Sequence, residues 1–184
     1  MAKLIVWNIL SLDGFFEGEK KWDLEMHNFV WGPELEKLSD EFGEKAAALV
    51  FGRVTYEGMR DYWSGNTAEP STVTSYMNAL PKLVASRTQK TSEWNNTRMT
   101  DDIEGEIARM RREETKDLYI FGSADLTHSL LEAGLVDELM ICYAPLAMGK
   151  GNPFFKSKVK VDLIEAKPLT NGGVIVRYRP GNVK

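Results

Sequence analysis

The chain has 184 residues, of which 43% are hydrophobic and 27% charged, and its net charge is -4. A chain of this length and composition is expected to form one domain, residues 1–184, around a single sizeable core. The negative balance argues against a general nucleic-acid or anionic-membrane binder, because both need a basic surface. One cysteine, Cys142, excludes an internal disulfide.

Two further absences limit the class of protein. The sequence shows no signal-like N-terminal segment and no apolar run of membrane-spanning length, so a cytoplasmic location is expected. The two histidines, His27 and His128, lie far apart and lack partner ligands at metal spacing. We therefore expect no metal site.

Apolar runs and helical periodicity alternate along the chain. Strands are predicted at 3–10, 46–51, 82–86, 117–122, 138–146, 159–167 and 173–179. Helices are predicted at 33–43, closed by Gly43, and at 54–63, 102–114 and 123–132, with 64–72 as a loop. This order predicts an α/β fold, in which helices cover both faces of a central mixed sheet and the last two strands form an antiparallel hairpin.

Two strand-to-helix junctions contain glycine, at Gly52 and at Gly122. Such junctions lie at the carboxyl ends of strands, where unpaired helix amides can bind an anion. A third strand ends in Ser86-Arg87, which offers a hydroxyl and a guanidinium at the same edge. Each feature alone is equally compatible with a turn, a helix cap or a solvated arginine. Neither a Walker loop nor a G-x-G-x-x-G fingerprint is present.

Several motifs in sequence order carry a family resemblance. SLDG follows the first strand, GRVTYEGM the second and ASRT the third, and YIFGSADLTHSLLEAGLVDEL is followed by P-x-x-x-G-x-G. Over nearly its whole length the chain resembles the dihydrofolate-reductase-like superfamily. It is most similar to relatives of the reductase half of the bacterial deaminase-reductase of riboflavin biosynthesis. The resemblance implies a three-layer sandwich with NADPH lying across the strand ends.

The resemblance also implies which residues meet the cofactor. They are Ile9 and Gly14 beside the nicotinamide, Gly52, Arg53, Val54 and Thr55 at the phosphates, Ser86 and Arg87 at the adenosine 2′-phosphate, and Phe121, Gly122, Ser123, Ala124 and Leu126 at the pyrophosphate turn. The chain departs from the family where paired glycines are common, at Gly122-Ser123, and where Phe121 replaces a common glutamate. These departures leave the ribosylaminopyrimidine substrate open.

Hydride transfer requires orientation and a proton source rather than a protein nucleophile. Asp13 and Glu36 are the candidate catalytic carboxyls, although the position of Asp13 in SLDG favours a role in stabilising its own turn and Glu36 falls off the apolar stripe of its helix. Asn8, Trp31 and Tyr143 are candidates for binding a flat ring, with burial in the core as the alternative for the aromatic residues.

The leading hypothesis is an NADPH-dependent reductase of a pterin-like or pyrimidine-like substrate. One alternative is a nucleotide-binding or sensing protein that has lost catalysis. Another is a partner-binding domain whose acidic, aromatic loop from Phe15 to Trp31 is the contact surface. Apolar edge strands near the C-terminus make a homodimer plausible.

Overall fold

The computed structural model describes residues 1–65 and 71–181. The strands are β1 (Leu4–Leu10), β2 (Phe15–Glu17), β3 (Ala46–Gly52), β4 (Lys82–Ala85), β5 (Thr97–Thr100), β6 (Asp117–Phe121), β7 (Glu138–Tyr143), β8 (Asn152–Pro153), β9 (Val161–Pro168) and β10 (Val174–Pro180). The helices are α1 (Pro33–Lys45), α2 (Arg53–Gly65), α3 (Thr72–Ala79), α4 (Ile103–Glu113) and α5 (Ala124–Glu132), with a 3-10 helix at Glu25–Phe29.

Eight of these strands form one sheet in the order β5-β4-β3-β6-β1-β7-β10-β9. The six strands from β5 to β7 are mutually parallel, because helices or long connections return the chain to the same side each time. The last two strands, β9 and β10, form an antiparallel hairpin. The predicted α/β fold with a mixed, mostly parallel sheet and a C-terminal hairpin is therefore confirmed.

Side-chain alternation along β1 divides the core into two layers. Ile5 and Ile9 belong to a cluster that takes in α1, α2, α3 and the 3-10 helix. Leu4, Val6 and Leu10 belong to a second cluster, with residues of α4 and α5. We call the first the α1 face and the second the α5 face. Helices on both faces confirm the three-layer arrangement.

The first helix does not end where the sequence predicts. Gly43 lies inside α1, which continues to Lys45. A Cβ atom at Gly43 would be only 2.6 Å from Cδ1 of Tyr76 in α3, so the glycine permits close helix packing rather than ending the helix. Ser39, one turn earlier, forms a 2.9 Å hydrogen bond with the Tyr76 hydroxyl.

Five elements were not predicted, namely the strands β2, β5 and β8, the 3-10 helix and α3. α3 is short and rich in β-branched and polar residues, but Ser71 caps it by accepting a 3.1 Å hydrogen bond from the amide of Thr74. The strand β5 has only four residues and pairs with β4 alone. Residues 66–70 of the predicted loop lie outside the described residues, while Ser64 and Gly65 extend α2. The strand predicted at 138–146 ends at Tyr143.

Candidate functional site

The three stretches with phosphate-binding potential lie at one edge of the sheet. Parallel pairing places Gly52 of β3 beside Ala85 of β4, directly before Ser86 and Arg87. The strand β6 pairs with β3 on its other side and ends at Phe121, beside Trp7 of β1. The carboxyl ends of four adjacent strands, β4, β3, β6 and β1, therefore form a common edge, as expected for an α/β ligand site.

Hydrogen bonds join the two glycine junctions into one unit. The amide of Gly52 donates to Oγ of Ser123 at 3.0 Å, and the amide of Ser123 donates to Oγ1 of Thr55 at 3.1 Å. Asn8, in β1, donates from Nδ2 to the carbonyl of Gly122 at 3.2 Å. These contacts fix the starts of α2 and α5 relative to each other, which no local motif specifies.

The backbone of the second junction is left-handed at two successive residues. Gly122 has φ +61° and Ser123 has φ +54°. A Cβ atom at Gly122 would lie 2.9 Å from Cγ2 of Thr55, so a side chain would be strained there for two reasons. Ser123 is the N-cap residue of α5 but does not cap it, because its hydroxyl bonds to Gly52 and to the carbonyl of Phe121. The first turn of α5 thus begins without a side-chain cap at the strand edge.

The two arginines at this edge differ in their partners. Arg53 is the first residue of α2 and forms a 2.7 Å ion pair with Glu57 one turn later. Arg87 is exposed and forms no ion pair or hydrogen bond with any residue of 1–65 or 71–181. Ser86 is buried, and its hydroxyl accepts from the amide of Gln89 at 2.9 Å. Of the two arginines, Arg87 is therefore the one whose guanidinium is available to an external anion.

Asp13 binds a loop instead of facing a substrate as an acid. Its carboxylate accepts hydrogen bonds from the Ser11 hydroxyl at 2.6 Å and from the amides of Met148 and Gly149 at 3.1 and 2.7 Å. The hydrogen bond from Ser11 is the largest cause that lowers the pKa of Asp13 to about 2. A proton donor needs the opposite shift, so the structure favours the turn-stabilising role.

The remaining candidate residues are dispersed. Glu36 is exposed on α1, away from its buried stripe, while Ile9 is buried on the α1 face. Asn8 and Tyr143 lie on the α5 face, whereas Trp31 is exposed just before α1. The expected flat-ring pocket of Asn8, Trp31 and Tyr143 is therefore not assembled, because strand alternation puts two of its members on the opposite side of the sheet from the third.

The other cofactor candidates differ in exposure. Val54 is exposed next to Arg53. Gly14 has φ +89° and forms the turn after β1. Phe121, Ala124 and Leu126 are buried. The Phe121 ring packs on Phe42 of α1 with ring centroids 5.7 Å apart, so at this position the side chain contributes to the core and only the backbone lies at the edge.

Two further parts of this edge, the loop after β7 and Trp22, were not assigned to the site from the sequence. The loop after β7 reaches the β1 exit through Asp13 and also through the amide of Leu12, which donates to the Leu146 carbonyl at 2.7 Å. The sequence signal for this loop is the P-x-x-x-G-x-G motif, in which Gly149 supplies one of the amides that donate to Asp13. The second part is Trp22, which occupies the space where a Cβ of Gly58 in α2 would lie, 1.8 Å from Cζ2 of the indole.

Other features of the described residues lie away from this edge. Cavities of about 530 and 350 Å³ open near the amino ends of the strands and include none of the candidate site residues. Burial raises the pKa of Cys142 to about 12, which makes its thiol unreactive. Within 1–65 and 71–181, no three His, Cys, Asp or Glu side chains group as metal ligands, and no helix is long and apolar enough to cross a membrane.

Comparison with known proteins identifies the family of this chain. Residues 2–175 match the family of RibD C-terminal domains, and the chain belongs to that family. The uncharacterized protein YyaP of Bacillus subtilis (strain 168) is 24% identical over 182 residues, which are 96% of this chain and 94% of YyaP. The family is a reductase-like one, and solved RibD structures share the fold.

Two solved structures illustrate the range of the fold. RibD of Acinetobacter baumannii superposes with a TM-score of 0.69 and 15% identity, over 98% of this chain and 58% of RibD. Dihydrofolate reductase of Enterococcus faecalis, solved in complex with NADP(H), superposes with a TM-score of 0.60 and 16% identity, over 98% of this chain and 97% of the reductase. At these identities the likeness establishes a dihydrofolate-reductase-like fold.

Proposed function

We propose that this protein is an NADPH-dependent reductase that transfers a hydride to a small heterocyclic substrate, of the riboflavin-biosynthesis or dihydrofolate-reductase-like type. The main support is the hydrogen bonding between the two strand-to-helix junctions. Gly52, Thr55 and Ser123 are held together by these bonds beside the start of α5, which has no side-chain cap. Left-handed backbone and a helix N-terminus are the features that accommodate a pyrophosphate. Membership of the RibD C-terminal family supports the same assignment.

The free guanidinium at the end of β4 supports NADPH rather than NADH. Arg87 is exposed, and no residue of the described ranges pairs with it. A guanidinium pairs well with the extra phosphate that distinguishes NADPH. Because Arg53 already has Glu57 as a partner, its contribution to binding is expected to be smaller. NADPH would supply the hydride, and the chain would supply its orientation and exclude water.

Nucleotide titration tests this proposal. We expect NADPH to quench the tryptophan fluorescence and to bind at least about tenfold more tightly than NADH, which corresponds to about 1.4 kcal/mol. Arg87→Ala should remove most of that preference and leave NADH binding nearly unchanged. Arg112→Ala, at an exposed arginine of α4, is the matched control and should preserve it. Failure of both nucleotides to bind would refute the assignment.

One observation favours the alternative of a nucleotide-binding or sensing protein without catalysis. Neither candidate acid is suited to donate a proton to a substrate, because Asp13 is held ionised by its hydrogen bonds and Glu36 is exposed. Steady-state NADPH oxidation with dihydrofolate, other pterins and ribosylaminopyrimidines separates the two. Tight NADPH binding with no oxidation in the presence of any of these compounds would favour the sensor.

A further inference from the structure

Large apolar side chains are exposed around the strand-carboxyl edge. We call residues 11–36, from the β1 exit to the first turn of α1, the rim. Four of its apolar residues are among the most exposed of the described part of the chain, at Leu12, Trp22, Phe29 and Trp31. Trp31 is 50% and Leu12 67% exposed. Exposed aromatic surface gathered at one edge marks a binding surface for a flat or apolar group.

The rim also carries the negative charge of the protein. It contains seven carboxylates, Asp13, Glu17, Glu19, Asp23, Glu25, Glu34 and Glu36, against two lysines, Lys20 and Lys21. Its net charge of -5 compares with -4 for the whole chain, so all other residues together carry +1. The rim therefore combines exposed aromatic side chains with a net negative charge.

Contacts place the rim across the edge where a substrate would enter. At one end Glu19 forms a 2.6 Å ion pair with Lys150, in the loop after β7, and Glu17 accepts a 2.7 Å hydrogen bond from Asn152 of β8. At the other end Trp22 packs on Gly58 of α2. The rim thus spans the ends of β1 and β6, between the β7 loop and the helix that follows β3.

Lys20 and Lys21 are the basic residues of the rim itself, and the basic groups around the rim are paired, close to a carboxylate or distant. Lys150 is held by Glu19. Lys167, in β9, lies close enough to Glu34 to contribute to the lowering of its pKa, after the hydrogen bonds from Thr170. Arg87 follows β4, three strands from β1, or about 14 Å at the usual strand spacing. The cationic end of the edge, where the nucleotide tail is expected, is thus separated from the rim.

We propose that the substrate of this site is a flat heteroaromatic ring that is neutral or cationic and carries no phosphate group. The proposal rests on the proposed function, because it assigns the substrate side of the same edge. Exposed aromatic side chains stack on a ring, while a net charge of -5 repels a dianionic phosphate and attracts a cation. A phosphoribosyl-bearing ring would meet only two lysines, Lys20 and Lys21, among the seven carboxylates of the rim.

Two probes with one ring system separate these possibilities. Riboflavin and flavin mononucleotide share the isoalloxazine ring and differ by a single phosphate, and their fluorescence is quenched on stacking. Both would be titrated into the protein saturated with NADP⁺, which occupies the cofactor side without supplying a hydride. We expect riboflavin to bind about tenfold more tightly at low salt. The ratio should shrink in 1 M salt, where the Debye length falls to about 3 Å.

Charge reversal identifies the source of the preference. Glu25→Lys changes an exposed rim carboxylate and should reduce the riboflavin preference at least twofold. Glu114→Lys makes the same change at an exposed residue just after α4, near the opposite edge, and should leave the ratio unchanged. Trp31→Ala should weaken both probes equally if the ring stacks there.

Three results would overturn the substrate class. The first is equal affinity for flavin mononucleotide and riboflavin. The second is a ratio of the two affinities that changes with neither salt nor Glu25→Lys, and the third is failure of both probes to bind. Binding of NADP⁺, measured first in the same preparation, tests the proposed function separately. Saturable NADP⁺ binding with no ring binding rejects the substrate class alone.

Discussion

Ser123 occupies an unusual position for a residue with a side chain. It is 5% exposed, adopts a left-handed backbone and uses its hydroxyl to accept a hydrogen bond from the amide of Gly52. The left-handed conformation costs a non-glycine residue roughly 1–2 kcal/mol. The hydrogen bond offsets part of that cost by giving the Gly52 amide a partner. Serine thus exchanges the freedom of a second glycine for a link between the two junctions.

Substitution at Ser123 should separate these two effects. Ser123→Ala keeps the backbone strain and leaves the Gly52 amide without a partner, so we expect a loss of about 1–3 kcal/mol in the free energy of unfolding. Ser123→Gly removes the hydroxyl but relieves the strain, and should be about 1–2 kcal/mol more stable than the alanine variant. Urea denaturation measures both. Ser129→Ala, exposed on α5, is the control, and equal stability of all three variants would contradict the bridge.

His27, in the 3-10 helix of the rim, should make stability depend on pH. Burial lowers its pKa from the ordinary 6.5 to about 4, because the charged form is poorly solvated. Between these values the unfolded chain binds a proton that the folded chain does not, so stability falls as the pH falls from 6.5 to 4. The loss should be on the order of 2–3 kcal/mol.

The matched variant for this prediction is His27→Gln, which cannot take up the proton. The difference in unfolding free energy between the two proteins, measured by urea denaturation from pH 7 to pH 4, should shrink across that window. A constant difference would show that His27 is accessible to protons in the folded protein.

At the scale of elements, the contact between α1 and α3 depends on a missing side chain. Gly43 faces Tyr76 so closely that a Cβ would lie 2.6 Å from the ring. Helix propensity alone would favour alanine by about 1 kcal/mol, because glycine gains more freedom on unfolding. Overpacking against a buried ring costs typically 1–3 kcal/mol, so packing outweighs propensity here.

Gly43→Ala should therefore destabilise the protein by up to about 2 kcal/mol net. Glu44→Ala, at the exposed next position of α1, should be neutral or slightly stabilising. Thermal unfolding followed by far-ultraviolet circular dichroism compares the two variants. A Gly43→Ala protein at least as stable as the wild type would show that α1 shifts away from α3 at little cost.

For the whole molecule, the homodimer expected from the sequence stays a prediction. The strand β9 is the last in the sheet order, and seven of its eight residues are exposed. Leu163 is 60% exposed and Ile164 lies beside it. A long, exposed apolar edge strand in a sheet usually pairs with another chain or is protected from doing so.

Sedimentation velocity tests the dimer. We expect a mass of twice the 20.8 kDa chain. Leu163→Lys should shift it to the monomer by placing charges on the edge. Leu12→Lys, the same substitution at an exposed leucine of the rim, should leave the mass unchanged. A wild-type monomer at tens of micromolar would reject the dimer.

The sequence by itself determined the elements with strong local signals. Apolar runs such as 46–51 and 117–122 form strands because their side chains are buried on both faces, and the glycine junctions follow them for local conformational reasons. The family motifs predicted the three-layer sandwich through resemblance, whereas the strand order comes from the structure. Sequence patterns did not predict short or mixed segments such as β5 and α3, because the few contacts of these segments come from neighbours distant in sequence.

Only the tertiary structure decided how these pieces form a site. The hydrogen bonds from the Gly52 amide to Ser123 and from the Gly149 amide to Asp13 join residues 71 and 136 positions apart, which local periodicity does not encode. Strand alternation then separated Asn8 and Tyr143 from Trp31, although all three were candidates for one pocket. Local physical chemistry fixes which groups are available, and the parallel sheet fixes which of them meet.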